Sequence, residues 1–169
     1  LKAHGGAGGR GAFSRAAEMS LALPLPCAAA LRVIPLPLVS VLFERGAITS
    51  DDSAAIAVAV TIYGLGLPSF VLQKILQPLF FAREDTKSPF HYALWAMLVN
   101  AAVAVGLAPI IGWMASAIAT TLAGWVMVAL LARGTRPMGY VVRFDERLRK
   151  RLPRICIASA IMGGALWLV

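Results

Sequence analysis

The chain has 169 residues, 59% of them hydrophobic and only 14% charged, with a formal net charge of +8. An ordinary soluble domain carries roughly 25% charged residues, so this sequence lacks the polar side chains to cover a water-facing surface. Lipid must be the solvent for most of it. Nor does the positive charge point to nucleic acid, because the basic residues are gathered between apolar runs rather than interleaved with aromatics on one face.

In chain order, residues 1–18 (LKAHGGAGGRGAFSRAAE) form a Gly-rich basic connecting segment with no cleavable signal peptide. Crossing the hydrocarbon core as a helix takes about 20 mostly apolar residues. Four runs qualify within the membrane region 19–132, namely 19–43, 53–81, 90–111 and 113–132. A basic stretch over 133–154 follows, and a fifth apolar run begins at 155 and is still in progress at 169. The absence of an initiator Met and the unfinished last run read as a piece of a longer protein. Short connections make consecutive spans antiparallel neighbours. The fold class expected is an all-α polytopic transmembrane bundle.

Orientation follows from the basic residues in the connections. Lys2, Arg10 and Arg15 precede the first span, Arg83 and Lys87 follow the second, and Arg133, Arg136, Arg143, Arg147, Arg149, Lys150, Arg151 and Arg154 follow the fourth. The opposite side holds Arg45 alone, beside Glu44, Asp51 and Asp52. The Arg-rich side is expected to face the cytoplasm.

The spans are more than plain anchors. Pro24, Pro26, Pro35 and Pro37 interrupt the first, and Gly64, Gly66, Pro68 and Pro78 the second. An interior proline removes a backbone donor and crowds the carbonyl four residues earlier, here those of Gly64 and Lys74. Such breaks suit a protein that changes shape where neighbours or a hydrated cavity satisfy the freed groups. Small residues that let helices pack closely explain some of them equally well.

Ionisable and polar groups at membrane depth each need a reason. Arg32 lies near the middle of the first span, either as a cavity-facing cation for an anionic substrate or as the partner of a helix beyond this chain. Gln73, Lys74 and Gln77 lie together on one side of the second span as a polar strip, although Lys74 could snorkel to the headgroups. Asn100 in the third span and Thr120-Thr121 in the fourth are either interhelical hydrogen-bond partners or oxygen donors to a cation. Cys27 and Cys156 read as small core residues, with no CxxC and no nearby His. Asp51-Asp52 opens the second helix, where negative charge suits the macrodipole. His4 and His91 are isolated. No metal-ligand spacing, phosphate loop or Ser/His/Asp set appears, so an enzyme is not expected and no cofactor or metal is implied.

Several motifs are more specific than hydropathy. LFERGAIT (42–49), YGLGLP (63–68), KILQPLFFAREDTKSP (74–89) and NAAVAVGLAPIIGWMASAIATTLAGWV (100–126) stand in order along the chain. Together they closely resemble the C-terminal lobe of the MurJ (MviN) lipid II flippases, best from about 38 to 131. The resemblance implies a fourteen-helix protein of the multidrug and polysaccharide-lipid exporter superfamily, with this chain holding helices nine to twelve and the start of thirteen. It implies alternating-access transport of undecaprenyl-pyrophosphate-linked peptidoglycan precursor to the outer leaflet of the bacterial inner membrane, in support of cell-wall synthesis. A membrane potential or monovalent cation gradient would drive it. The partners would be that precursor, membrane lipid and the N-terminal lobe of the same protein, not nucleic acid.

On this view Arg83, Glu84, Asp85, Thr86 and Lys87 form a cytoplasmic gate-side loop, and Glu44, Arg45 and Gly46 play the comparable role outside. Fixed turns with ordinary surface charges are the alternative at both places. The resemblance links Asn100 and Thr120 to monovalent cation binding, but Ala104, one turn after Asn100, is no carboxylate. It also leads one to expect an apolar residue at Arg32, and it puts most of the family's substrate-binding arginines outside this chain. Competing readings are an exporter of another lipid-linked glycan or a drug, and a membrane scaffold with no transport of its own.

Overall fold

The computed structural model describes residues 7–44, 49–136 and 146–167, and among them the chain forms helices and no strand. In order these are α1 (Ala7–Ala22), α2 (Pro24–Val33), α3 (Pro35–Phe43), α4 (Ser50–Phe81), α5 (Lys87–Ile111), α6 (Met114–Gly134) and α7 (Glu146–Trp167). Four stretches are long and apolar enough to cross a membrane: Arg15–Val33, Ser50–Phe81, Lys87–Ile111 and Met114–Gly134. The all-α polytopic expectation holds.

The first span departs from its expected outline. Rather than one kinked helix over 19–43, the backbone loosens for one residue at Leu23, which keeps helical dihedrals (φ −88°, ψ −47°), and breaks at Ile34 (φ −120°, ψ 42°), where a new helix starts. Pro24 and Pro35 each take the first position of a new helix, with Pro26 and Pro37 still inside its first turn. A first-turn N–H has no intrahelical partner, so a proline there forfeits nothing. Pro68 and Pro78, in contrast, lie within the continuous α4.

Helix α4 begins at Ser50 through a capping box. The Asp52 carboxylate accepts from the Thr49 N–H at 3.0 Å and the Thr49 hydroxyl at 2.8 Å, and the Asp52 N–H donates back to Thr49 Oγ1 at 3.4 Å. This is the charge-at-the-start role expected of the acidic pair. Helix α5 runs through Pro109 to Ile111, leaving the turn to α6 to Gly112, whose φ of 57° and ψ of −133° only glycine adopts without strain. The basic stretch 133–154 is not all connection, because α7 starts at Glu146, well before the expected 155; 137–145 lies outside the described residues.

Packing follows a row. α5 lies along α6, α6 along α4, α4 along α2, and α2 along α7, while α4 and α5 touch only slightly. At one end of α4, α5 and α6 the core is Leu76, Phe80, Ala96, Met127 and Leu131, with Tyr92 edge-on to Phe80 at 6.1 Å. Phe90, Trp95, Met97, Leu98, Val105 and Ile110 of α5 are exposed, an apolar exterior that a bilayer accepts and water would not. Cys27 and Cys156, expected in the core, are both exposed free thiols. Apolar side chains at membrane depth carry no penalty for facing outward, so hydrophobic character alone did not assign them a side.

The first and last parts of the chain run parallel. Glu18 of α1 pairs with Arg151 of α7, and further along, Ala29 and Val33 of α2 lie against Gly163 of α7. Two helices that advance together in this way point in the same direction, as they must when α4, α5 and α6 stand between them as alternating crossings.

Candidate functional site

Between α4 and α5, with α6 behind them, lies an open cleft of about 300 Å³. Its polar lining is Gln73 and Gln77 from α4, Asn100 from α5 and Thr120 from α6. Gln73 and Gln77 are one helical turn apart and share a face. Gln73 Nε2 donates to the Gly124 carbonyl of α6 at 3.1 Å, which fixes its amide against the rear wall. Lys74, a quarter-turn round, is exposed and does not line the cleft. The expected strip therefore divides, with two amides inside and the cation outside. Asn100 and Thr120, named separately in the sequence, meet here.

Among the described residues no ionisable side chain lines this cleft. Its amide and hydroxyl groups can donate to or accept from a hydrated polar ligand, or offer neutral oxygens to a monovalent cation. Among the described residues no cluster of three His, Cys, Asp or Glu groups could hold a metal ion.

A second groove, of about 510 Å³, lies between α4 and α6 and is lined by Ile62, Leu65, Ile118, Thr121, Leu122 and Trp125. Both donors in it are spent on α4 carbonyls: Thr121 Oγ1 donates to Ile62 at 3.1 Å and Trp125 Nε1 to Leu65 at 3.2 Å. These carbonyls flank Gly64, whose own carbonyl cannot bond residue 68 because Pro68 has no N–H. The sequence reading named Thr121 but missed Trp125. The available signal was an indole N–H in an apolar span, which needs a partner.

The α4–α5 connection has a defined geometry. The N–H groups of Glu84 and Asp85 donate to the carbonyls of Phe81 and Phe80 at 3.0 and 3.1 Å, the paired bonds of a Schellman helix end. Glu84 takes the left-handed position, at φ 59°, that glycine usually fills. Asp85 Oδ1 accepts from the Ser88 N–H at 3.0 Å, and these Ser88 hydrogen bonds hold its carboxyl below the usual Asp range. Arg83 and Lys87 are exposed beside it. On the other side, exposed Glu44 ends α3, its N–H donating to the Ser40 carbonyl at 3.0 Å. Arg45 and Gly46 lie outside the described residues.

Arg32 sits in the last turn of α2, exposed. It is not among the residues that line the cleft. The cost of a guanidinium within a membrane span is offset by snorkelling, by water or by a counter-charge.

Four apolar span-length helices, prolines inside a long span and a polar cleft between helices place the chain in a class, the multi-pass helical membrane proteins. A family model described as "Lipid II flippase MurJ" matches residues 7–169. A "Probable lipid II flippase MurJ" from Rhizobium meliloti (strain 1021) is 43% identical over 154 residues, covering 91% of this chain and 29% of that protein. Its counterpart from Rhizobium tropici is 39% identical over 153 residues, with coverage of 90% and 28%. A solved structure, "Lipid II flippase MurJ, inward closed conformation", superposes with a TM-score of 0.72 over 95% of this chain and 38% of that one. At 21% identity that likeness establishes the fold. The chain belongs to the MurJ lipid II flippase family. It spans less than a third of the length of these curated relatives.

Proposed function

We propose that the protein of which this chain is a part carries lipid-linked peptidoglycan precursor from the inner to the outer leaflet of the bacterial cytoplasmic membrane by alternating access, without transforming it. The observation that carries this reading is the family match along residues 7–169. The physical task suits the architecture. A pyrophosphate-sugar-peptide headgroup needs a polar passage while its polyprenyl tail stays in lipid, and the helix break at Ile34 supplies irregular backbone of the kind that lines such passages.

Within it, this chain contributes part of the C-terminal half, with the Arg-rich connections on the cytoplasmic side. The Arg83–Lys87 turn works as a gate-side element there, and the segment from Glu44 through Gly46 does so outside. Asn100 and Thr120, joined by Gln73 and Gln77, form a neutral polar cleft that serves hydration or a monovalent cation rather than direct phosphate contact, since it holds no cation of its own.

The test is depletion of the full-length protein in its native cells, with lipid II quantified in the outer leaflet. The expected result is less precursor outside, accumulation inside and lysis. Unchanged exposure of lipid II, with another lipid-linked glycan lost instead, would refute the substrate assignment.

A further inference from the structure

Contacts made by α2 fix how that helix is turned. A Cβ on Gly64 of α4 would meet Leu31 Cβ at 3.2 Å and the Ala28 carbonyl at 3.6 Å, so Ala28 and Leu31 face α4. One on Gly163 of α7 would meet Val33 at 3.4 Å and Ala29 at 3.9 Å, so Ala29 and Val33 face α7. At 3.6 residues per turn, Arg32 falls about 40° round from Ala28 and about 60° from Ala29, between the two contact lines. Helices α4 and α7 do not touch each other among the described residues. The Arg32 side chain is therefore exposed on the open face of α2 between them.

Depth comes from the same contact. Gly64 is near the midpoint of Ser50–Phe81, about 21 Å from one end and about 26 Å from the other at 1.5 Å per residue. Leu31 packs on it, so the next residue stands at mid-membrane. Arg32 makes no hydrogen bond or ion pair with any described residue, and Glu18, the carboxylate that α1 brings towards α7, is paired with Arg151. A guanidinium at this depth calls for water or an anion beside it.

We infer that Arg32 is an anion-binding subsite halfway across the membrane, set on the face of α2 between α4 and α7 and hydrated there, and that it holds phosphate oxygens of the translocated lipid diphosphate. The guanidinium fork matches phosphate with paired N–H donors. The subsite rests on the transport reading for its ligand, not for its existence.

The test uses the full-length protein with its native cysteines replaced by serine and the single substitution Leu25→Cys introduced. Leu25 precedes Arg32 by seven residues, two turns along the same face. The new thiol is labelled with anionic and cationic membrane-impermeant reagents of similar size. It is expected to react, with the anionic reagent favoured, and Arg32→Gln to reduce that preference at least about threefold. Lipid II in the vesicles should slow labelling, while phosphatidylglycerol vesicles alone should not. Flipping should fall about tenfold in Arg32→Gln and recover in part in Arg32→Lys. An introduced thiol that does not react, or a charge preference indifferent to Arg32, overturns the subsite. Protection by phosphatidylglycerol alone reassigns it to bulk lipid, and unchanged flipping in Arg32→Gln removes the contact with substrate. If the unmutated protein moves no lipid II while the labelling preference persists, the transport reading fails and the anion subsite stands.

Discussion

Glu84 occupies a backbone conformation that costs a side-chain-bearing residue about 1–2 kcal/mol relative to the right-handed region, and its φ of 59° completes the turn that ends α4. Glu84→Gly should raise the stability of the full-length protein by about 1 kcal/mol, seen as a higher melting temperature in detergent, whereas Glu84→Val should lower it. If the turn acts in gating, the glycine variant should also flip more slowly, because a relaxed turn no longer favours leaving this state. Its neighbour gives a pH dependence. The lowered pKa of Asp85 means that its contribution is complete above the ordinary Asp value of about 3.9 and is lost as pH falls through the lower folded value. Hydrogen exchange at the Ser88 amide should accelerate, relative to the intrinsic rate, on acidification through that range, and Asp85→Asn should abolish the pH dependence. The acidic turn was visible in the sequence, but its geometry was not, since the usual signal is a glycine and here a glutamate stands in its place.

At the scale of elements, the α4–α6 crossing is set by small residues. A Cβ on Gly124 would come within 2.6 Å of Ser69 Oγ and 3.0 Å of Phe70 Cε1. Gly124→Ala should therefore cost about 1–3 kcal/mol by overpacking, and it should also disturb the carbonyl that Gln73 bonds. The measurement is thermal unfolding, paired with the yield of folded protein. Ser69→Ala in the same background should return part of the loss, because it removes the closest clashing atom. The apolar runs of α4, α5 and α6 were legible because twenty-odd apolar residues have few other fates. The division of the first span was not, because prolines spaced by two suggest kinks as readily as new first turns. The start of α7 was hidden for another reason. Its charged opening residues resemble a loop by hydropathy, yet Arg, Lys, Leu and Glu are good helix formers. Gln73, Gln77, Asn100 and Thr120 were each noticed, but their meeting depends on which helices adjoin, which no single span encodes.

For the molecule as a whole, the parallel run of α1–α2 with α7 and the charge asymmetry of the connections give one topology. A cysteine replacing Asp51 should react with an impermeant reagent added to spheroplasts, while cysteines replacing Thr86 and Arg136 should react only after permeabilisation. The opposite pattern would invert the orientation, and labelling of all three from outside would break the alternation of spans. The parallel run also has a consequence for synthesis. The Glu18–Arg151 pair joins residues separated by 133 positions, and four membrane crossings are translated between them. At roughly 5–20 residues per second, Glu18 waits on the order of ten seconds for its partner to emerge from the ribosome. During that interval the α7-facing flank of α2, Ala29 and Val33, faces lipid, which is as apolar as the helix that later replaces it. What α1 leaves open is the Glu18 carboxylate, which has to stay near the headgroups until Arg151 arrives.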